Sequence, residues 1–314
     1  MSMFLVTGGA GFIGSHVVER LLRDGHRVRV LDNFSTGTRE NLAFAAGNPR
    51  LEVVEGDLTD LDAVVRAARG AEVIFHQAAM RSVPRSVEDP LGANASNVTG
   101  TLHVLVAARE AGVRRVVYAS SSSIYGDRPD LPKREDQPPA PVSPYAVSKL
   151  AGELYCSVWA RLYGVETLGL RYFNVFGPRQ DPTSQYAAVV PRFILWALRG
   201  EPLEVHGDGL QSRDFTYVDN VVEANLLAAQ APGIAGEMFN VGCGNRVSLL
   251  EMIGLLDGIV GRRLERVHTA RRPGDVPHTQ ADIGKVKRFL GYAPVVDFEE
   301  GLRRTVGFFR GRSA

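Results

Sequence analysis

The sequence has few cysteines, no long apolar run and almost no net charge, and each scarcity excludes a class of protein. Two cysteines, Cys156 and Cys243, cannot form a disulfide framework, and no Cys/His cluster has the spacing of a zinc site. A net charge of +1 gives no electrostatic attraction to nucleic acid or to an anionic membrane. With no signal peptide or membrane span in evidence, we expect a cytoplasmic protein that binds no metal.

What the sequence does contain is a glycine-rich turn near its start. An apolar strand pattern at 4–6 leads into Gly8, Gly11 and Gly14, and apolar residues at helical spacing follow over 15–22. Gly8 would permit the sharp turn, Gly11 the approach of a pyrophosphate, and Gly14 close packing of the helix on the strand. The order strand, turn, helix start therefore predicts a dinucleotide site at the helix N-terminus.

An acidic residue follows at the distance that such a site requires. A second strand pattern at 27–31 ends at Asp32, 24 residues after Gly8, where the usual separation is about 20. A carboxylate there binds the adenosine ribose hydroxyls and repels a 2′-phosphate, which favours NAD over NADP. The alternative is an ordinary turn followed by a solvated aspartate.

Strand and helix patterns alternate up to residue 171, which predicts a parallel sheet with helices on both faces. We expect an α/β fold, a Rossmann-like doubly wound sheet with a smaller mixed C-terminal region. Residues 1–173 would be the NAD-binding domain and 174–314 mainly the substrate-binding region, with some segments returning to the sheet. The pattern predicts further strands at 51–58, 71–79, 115–120, 167–171 and 237–241, helices at 60–69, 91–112, 144–164 and 220–230, a loop at 80–90 and fraying at 303–314.

The motif Tyr-x-x-x-Lys occurs at Tyr145 and Lys149, on the second long helix. Residues four apart share a helix face, so the ammonium is expected to lower the phenol pKa from about 10 and make Tyr145 a general base and acid. Lys149 could also hold cofactor ribose hydroxyls, and the alternative is a plain surface pair. A hydroxyl from the run Ser120–Ser123 could bridge substrate and Tyr145, although spacing alone does not identify which one.

Together these motifs resemble the extended short-chain dehydrogenase/reductase family, and within it the NAD-dependent nucleotide-sugar 4-epimerases, which are isomerases. The resemblance covers roughly residues 4–290. The matching segments are 7–14, 32–33, 56–58, 76–79, 120–126, 145–149, 171–180, 207–209, 213–219 and 272–275.

The resemblance implies a mechanism in which Tyr145 takes the C4 hydroxyl proton, assisted by Ser121, while NAD takes the C4 hydride. The 4-keto sugar then rotates and the hydride returns to its other face. The implied catalytic residues are Tyr145, Lys149, Ser121 and Ser122. The implied NAD contacts are Gly8, Gly11, Phe12, Ile13, Gly14, Asp32, Asn33, Asp57, Leu58, Gln77, Ala78, Ala79, Tyr145, Lys149 and Tyr172. The implied contacts to a UDP-sugar are Arg81, Ser121, Ser122, Ser123, Tyr145, Asn174, Val190, Arg192, His206, Arg213, Arg272, Asp275 and Thr279.

Arg213 and Arg272 would pair with the diphosphate, because a guanidinium forks onto phosphate oxygens. The family further implies a homodimer through the helices at 91–112 and 144–164. Candidates for that face are Ala107, Ala108, Tyr155 and Trp159, although these residues could equally cover the sheet.

Related reactions and other sugars remain as alternatives. The related 4,6-dehydratases and UDP-glucuronate decarboxylases resemble one another in carrying a carboxylate just after the catalytic hydroxyl, where this chain has Ser122 and Ser123. UDP-glucose/UDP-galactose is the base case. Thr279 is small enough to leave room for the larger substituents of UDP-N-acetylglucosamine or UDP-glucuronate. An NAD-binding regulatory protein on the same fold is the non-enzyme alternative.

Two further features bear on UDP-glucuronate. Asn174 and Asp181 depart from the pattern of some uronate epimerases, which weakens that assignment. Arg81, Arg85 and Arg192 could nevertheless each reach a C6 carboxylate.

Overall fold

Seven parallel strands form the central sheet of the computed structural model, which describes residues 2–183, 188–270 and 276–311. Numbered along the chain, these strands are β1 (Met3–Thr7), β2 (Arg27–Asp32), β3 (Leu51–Glu55), β4 (Val73–His76), β5 (Arg115–Ser121), β6 (Glu166–Tyr172) and β11 (Met238–Val241). Their spatial order is β11-β6-β5-β4-β1-β2-β3. The order reverses between β1 and β4, and ligands of such sheets bind in the crevice at that point. The predicted Rossmann-like architecture is confirmed.

Helices cover both faces of this sheet. They are α1 (Phe12–Arg23), α2 (Leu61–Ala68), α3 (Val83–Glu88), α4 (Pro90–Asn94), α5 (Gly100–Glu110), α6 (Pro144–Leu162), α7 (Val189–Arg199), α8 (Val218–Gln230), α9 (Leu249–Val260), α10 (Gly284–Leu290) and α11 (Phe298–Arg310). Side chains alternate along a strand, so Val6 packs with α1, α8 and α10 on one face while Leu5 packs with α2, α5 and α6 on the other. The two faces thus have separate apolar cores.

A third apolar core lies outside the sheet and is built from the C-terminal part of the chain. It unites α7, α9 and α11 through residues such as Phe193, Ile253 and Val306. Short strands border it: β7 (Val175–Phe176), β8 (Leu203–His206), β9 (Ser212–Arg213), β10 (Thr216–Tyr217), β12 (Val247–Ser248) and β13 (Arg266–Thr269). The chain alternates between this core and the sheet. Residues of α8, β11 and α10 are part of a core on the sheet, whereas residues of α9 and α11 are part of the third core.

The segment between β4 and β5 keeps the predicted long helix but not the predicted loop. The short helix α3 lies within the loop predicted at 80–90. From 90 to 110, α4, a π-helical turn over Ala95–Thr99 and α5 follow one another without a break, so the helix predicted over 91–112 is confirmed. The π-turn widens this helix locally, which the sequence pattern did not reveal.

The prediction that residues 303–314 fray is wrong for residues 303–310, and 312–314 lie outside the described residues. Residues 303–310 do not fray, since they belong to α11, in which Thr305, Val306 and Phe309 are buried. Their spacing of three and four places one apolar face on the third core, and this packing outweighs the basic composition of the segment.

Three of the four predicted dimer-face residues are buried within their own chain. Ala107, Ala108 and Trp159 pack under the sheet with α2, and Tyr155 lies against the same core, so the alternative that these side chains cover the sheet is correct. The helical period predicted an apolar stripe but assigned it to the wrong face. Among the described residues, no helix is long and apolar enough to span a membrane.

Candidate active site

The glycine-rich turn joins β1 to α1 at the carboxyl edge of the sheet. Gly8 has φ +67°, a left-handed conformation that a side chain would strain, and a Cβ at Gly14 would lie 2.1 Å from the Gly8 carbonyl oxygen. Gly11 precedes α1 without a side-chain cap, so the first N–H groups of the helix are left for a ligand. The local geometry is that of an anion site.

Acidic side chains fix the neighbouring loops. The two carboxylate oxygens of Asp32 accept hydrogen bonds from the N–H groups of Ala10 (2.9 Å) and Phe34 (2.8 Å). Asn33 donates to Asp57 (2.6 Å). Burial acts to raise the pKa of Asp57, but hydrogen bonds from Thr59 and Asn33 outweigh it and leave the pKa lowered. Asp57 therefore stays charged at neutral pH, and its carboxylate retains lone pairs for hydroxyl donors.

One cavity runs along this edge of the sheet. All of the residues predicted to contact NAD line it: Gly8, Gly11, Phe12, Ile13, Gly14, Asp32, Asn33, Asp57, Leu58, Gln77, Ala78, Ala79, Tyr145, Lys149 and Tyr172. Sequence reasoning assigned no role to several other lining residues: Leu31, Ser35, Thr36, Gly56, Met80, Ser96 and Ala119. Ser35 and Thr36 could have been found, because only Phe34 separates them from the Asp32–Asn33 pair at the end of β2.

Asn97, in the π-helical turn, is a further residue that the sequence analysis missed. Its side chain accepts from the N–H of Met80 (2.7 Å), donates to the Met80 carbonyl (3.1 Å) and donates to the Ser148 hydroxyl (2.9 Å). Ser148 in turn donates to the carbonyl of Tyr145. Asn97 thereby ties the loop after β4 to the helix that carries Tyr145, and no periodic pattern could have revealed it.

Tyr145 lies in the first turn of α6, which Ser143 caps and Pro144 begins. Burial raises the pKa of the phenol, while a hydrogen bond from Ser121 and the charge of Arg81 act to lower it. The expectation that Lys149 lowers this pKa is wrong for the free protein, because burial dominates and Lys149 binds elsewhere. Tyr145 is therefore a neutral phenol at rest, in contact with the serine predicted to assist it.

Lys149 is buried one turn after Tyr145. Its ammonium donates to the carbonyl of Ala119 (2.8 Å) and lies 6.0 Å from the centre of the Tyr145 ring. Burial lowers the pKa of Lys149 to about 8, and the neighbouring Cys156 and Glu153 oppose that shift. The ammonium remains mostly charged at pH 7, close enough to Tyr145 to favour a phenolate when one forms.

The structure distinguishes the serines that spacing could not. Ser120 donates to Glu153 (2.5 Å), whereas Ser121 hydrogen-bonds Tyr145. Ser122 and Ser123 open a 3-10 turn at 122–125. Of these four serines, Ser120 lines the cavity, whereas Ser121, Ser122 and Ser123 do not. The Ser123 hydroxyl is buried and has no hydrogen-bond partner among the described residues. The hydroxyl placed for chemistry on Tyr145 is that of Ser121.

Residues predicted to bind the sugar nucleotide converge beyond β6. Asn174, at the unusual φ of +34°, donates to the carbonyl of Asp214 (3.1 Å) and to the hydroxyl of Thr279 (3.0 Å). Arg213, next along the chain to Asp214, donates to the carbonyls of Ser212 and Pro277. Asn174, Arg213 and Thr279 therefore belong to one connected patch.

Asp214 organises this patch from below. Its buried carboxylate accepts hydrogen bonds from the N–H groups of Cys243 (2.8 Å), Gly244 (2.9 Å) and Ala281 (3.1 Å). Burial raises the pKa of Asp214 to about 6, and these three hydrogen bonds oppose the shift. The Asp214 side chain thus joins its own segment to two others that are distant in sequence, at 243–244 and at 281.

The remaining predicted substrate residues are more scattered. Arg81 lines the cavity, where Asp181 attracts its charge. The Val190 side chain is buried in the third core, and Arg192 lies over the Trp196 ring. His206 contacts the hydroxyl of Thr269 (2.7 Å). Arg272 and Asp275 lie outside the described residues.

The comparison with known protein families agrees with this geometry. Residues 4–242 match the model of the NAD dependent epimerase/dehydratase family. The chain belongs to this family. The match includes Ser121, and it includes the glycine-rich turn and the Tyr145–Lys149 pair, which line the cavity, so the family's NAD dependence fits this cavity.

Similar members of the family act on different sugars. The chain is 43% identical to UDP-glucose 4-epimerase of Mycolicibacterium smegmatis, over 98% of this chain and 99% of the relative. It superimposes on the UDP-N-acetylglucosamine 4-epimerase of Methanobrevibacter ruminantium, in complex with UDP-N-acetylmuramic acid, with a TM-score of 0.95, 38% identity and 99% of each chain covered. It also matches the UDP-glucuronic acid 4-epimerase of Bacillus cereus, in complex with UDP-glucuronic acid and NAD, with a TM-score of 0.91, 32% identity and 99% of each chain covered.

Proposed function

We propose that this epimerase-family chain is an NAD-dependent UDP-hexose 4-epimerase, an isomerase that inverts C4 by transient oxidation. The observation that carries the proposal is that Tyr145 and Lys149 line the same cavity as every other predicted NAD contact. Bound NAD would accept the C4 hydride and later return it. Substrate contacts therefore need to hold the sugar at C4 without fixing its face.

Tyr145 is the group that moves the proton. Its hydroxyl would take the proton of the sugar 4-hydroxyl and give it back after the sugar has rotated. Ser121 would bridge the two oxygens. The charge of Arg81 acts against the effect of burial on the phenol pKa. The Lys149 ammonium, 6.0 Å from the centre of the ring, would favour a phenolate when one forms. Ser122 is the second serine proposed for the catalytic set.

UDP-glucose/UDP-galactose is the proposed substrate pair, supported by the 43% identity to a UDP-glucose 4-epimerase. UDP-N-acetylglucosamine and UDP-glucuronate are the second candidates, since solved 4-epimerases named for those sugars superimpose on this chain with TM-scores of 0.95 and 0.91. Thr279, a small side chain held by Asn174, favours room at the sugar ring. The guanidinium groups of Arg81 and Arg85 in the cavity favour an anionic substituent.

The sugar nucleotide is proposed to lie over residues 174–314, with 1–173 holding NAD. Arg213 and Arg272 would bind the diphosphate, and Asp275 a ribose hydroxyl. The other proposed contacts are Arg81, Ser121, Ser122, Ser123, Tyr145, Asn174, Val190, Arg192, His206 and Thr279. Dehydration or decarboxylation is disfavoured, because Ser122 and Ser123 stand where the related enzymes carry a carboxylate.

The assay that tests this function uses purified protein without added NAD. UDP-glucose, UDP-N-acetylglucosamine and UDP-glucuronate are supplied separately and the products are resolved by chromatography. We expect a C4 epimer from at least one. A UDP-pentose or a 4-keto-6-deoxy product would identify a decarboxylase or a dehydratase instead, and no product from any of them would favour the NAD-binding regulatory protein.

A homodimer is proposed as well, through a face that differs from the predicted one. Val147, Leu154, Val158 and Leu162 form one exposed stripe along α6, with exposures of 54%, 61%, 42% and 71%, and Leu91 is 82% exposed. Apolar side chains at this spacing suit packing against the same helix of a second copy.

Changing Leu154→Lys should convert the dimer to monomer at micromolar concentration in sedimentation velocity, because a charge would be desolvated at the centre of the stripe. Val295→Lys is the matched control, since Val295 is equally exposed (62%) but lies in the loop before α11. A wild-type monomer, or equal behaviour of the two variants, would contradict the proposed interface.

A further inference from the structure

Glu153 is a buried carboxylate on α6 to which neither the motifs nor the mechanism assigns a role. It lies one turn after Lys149 and is 3% exposed. Arg171, at the end of β6, binds it with two hydrogen bonds, Nε to Oε1 (2.9 Å) and Nη2 to Oε2 (2.8 Å). The hydroxyl of Ser120 also donates to Oε1 (2.5 Å). The carboxylate is thus fixed from two strands at once.

These contacts join the elements that carry the reacting groups. Ser120 immediately precedes Ser121, and Glu153 follows Tyr145 by two helical turns on α6. The Lys149 ammonium binds the neighbouring carbonyl of Ala119. The end of β5 is therefore attached to α6 at two successive levels, and the gap between Ser121 and Tyr145 is set by these attachments.

The network extends from Arg171 toward the C-terminal region. Arg171 donates to the Tyr125 hydroxyl (2.8 Å), which donates to the side-chain oxygen of Asn240 on β11 (2.7 Å). The N–H of Asn240 donates to Glu135 (2.8 Å). Each polar group in this chain of contacts has a partner, so the position of Glu153 is determined by three neighbouring strands of the sheet.

A buried ion pair of this kind contributes little to stability by itself. Desolvation of both charges offsets their attraction, and apolar residues of similar size often replace such a pair without loss. What a bidentate, fully bonded pair provides is fixed geometry. The geometry points to Glu153 as a positioning residue that, paired with Arg171, holds Ser121 at hydrogen-bonding distance from Tyr145. The inference rests on the proposed function for its kinetic consequences only.

The test compares single variants with an uncharged double variant. Glu153→Gln and Arg171→Met each leave one buried charge unpaired, so both should lower Tm and kcat. The double variant Glu153→Leu/Arg171→Met should recover most of the Tm. Its kcat should stay low, by on the order of a hundredfold, the loss that a misplacement of about 1 Å can cause. KM and bound NAD should change little, because Glu153 does not line the cavity.

A second arginine–glutamate pair supplies the control. Arg115 is 2% exposed and binds Glu166 (2.6 Å), whose side chain is 39% exposed, at the opposite end of the same two strands. Arg115→Met/Glu166→Leu removes a pair that is distant from the reacting groups, so it should leave kcat unchanged whatever its effect on Tm. If kcat recovers with Tm in Glu153→Leu/Arg171→Met, the pair is structural and the inference is wrong.

Two measurements keep the inference testable if the double variant folds poorly. Ser120→Ala removes one of the two attachments between β5 and α6 and leaves the Glu153–Arg171 pair in place. We expect kcat to fall with little change in Tm or in bound NAD, which is measured alongside because Ser120 also lines the cavity; a wild-type kcat would overturn the inference. Glu153→Gln should also shift the basic limb of the kcat/KM profile to lower pH, because Glu153 supports the charge on Lys149. The groups that face Lys149 are Glu153, Cys156 and Tyr145 on α6, Tyr118 on β5 and His76 on β4.

A readout independent of turnover separates this inference from the function. The ultraviolet difference between the wild type and Tyr145→Phe follows the ionisation of Tyr145. Its midpoint should rise in Ser120→Ala and in the double variant, since Ser121 then no longer stabilises the phenolate. An unchanged midpoint refutes the positioning role even if no UDP-sugar is turned over, whereas an inactive wild type with a shifted midpoint refutes only the function.

Discussion

The cofactor half and the sugar half of the site are held together by different bonds. Around the glycine-rich turn, neighbouring residues do the work, since the contacts of Asp32 are to Ala10 and Phe34, within 22 positions along the chain. In the sugar half, Asp214 gathers N–H groups from Cys243, Gly244 and Ala281, up to 67 positions away. Short-range geometry can be inferred from a motif, whereas long-range convergence requires the fold.

The largest effect should come from the group that serves both halves. Tyr145→Phe removes the hydroxyl that we propose moves the proton, so turnover should fall on the order of a thousandfold or more. Bound NAD, measured after denaturation of the purified protein, should be unchanged because the ring still lines the cavity. Near-normal turnover would refute the proposed role of Tyr145.

The cofactor half should be sensitive to a single methyl group. In Gly14→Ala the added Cβ would lie 2.1 Å from the Gly8 carbonyl, so the turn must shift, at a cost of roughly 1–3 kcal/mol in unfolding free energy. We expect less copurifying NAD and a lower Tm. Gly258→Ala is the control, since it is also helical but meets no atom within 4 Å and should gain up to about 1 kcal/mol. Equal effects at the two glycines would mean that the turn is not tightly packed.

The sugar half should respond through substrate binding alone. Asp214→Asn halves the acceptor oxygens available to three buried N–H groups, each costly to leave unpaired. Arg213 and Thr279 would then shift together, and KM for the UDP-sugar should rise roughly tenfold, about 1.4 kcal/mol, with bound NAD unaffected. Asp208→Asn, an exposed aspartate nearby, is the control. Loss of NAD from Asp214→Asn would show that the halves are not separable in this way.

The last prediction concerns the free energy of unfolding, whose net change with pH should be small because the two halves respond to acid in opposite directions. His76 stays neutral beneath the glycine turn, bound to Thr7 and Thr101, because burial lowers its pKa to about 3. Below pH 6.5 the unfolded chain takes up a proton that the folded protein refuses. The His76 contribution to stability is therefore lost as pH falls, by about 2 kcal/mol from pH 6.5 to pH 5.

Asp214 should act with the opposite sign. Its pKa of about 6 lies above that of an unfolded aspartate, so between these values the folded state holds the extra proton and gains stability as pH falls. Urea unfolding at pH 5 and pH 7 checks both. The free energy of unfolding at pH 7 minus that at pH 5 should decrease in His76→Gln and increase in Asp214→Asn. A change of the same sign in both variants would contradict the pKa directions assigned to His76 and Asp214.

The residues that line the cavity could be located from the sequence for a physical reason. A tight glycine turn and the carboxyl ends of parallel strands are determined by neighbouring residues. Asp32, at the end of β2, and Ala78, just after β4, could therefore be located without knowing the rest of the fold. Ser96 and Asn97 escaped notice because a π-turn leaves no periodic signature. The contacts of Asn97 to Met80, in the loop after β4, are visible only in three dimensions.

Other expectations were wrong where burial decides the outcome. The spacing of Tyr145 and Lys149 predicts a shared helix face correctly, but it does not tell how deeply the phenol is buried, and burial determines the direction of its pKa. The apolar period of α6 likewise predicts a stripe without showing that Trp159 faces the sheet while Leu154 faces outward. In both cases the missing quantity is solvent exposure.

The alternation of the chain between the sheet and the third core has a consequence for how the protein folds. Residues of α7, α9 and α11 complete one core, while α8, β11 and α10, interleaved with them in sequence, complete another. Neither the sheet nor the third core can be obtained by truncating the chain at one point. A chain ending after β6 would lack the edge strand β11 and the covering helices α8 and α10. The two halves of the site are interlaced rather than appended, so they form one cooperative folding unit in which loss of either core exposes the other.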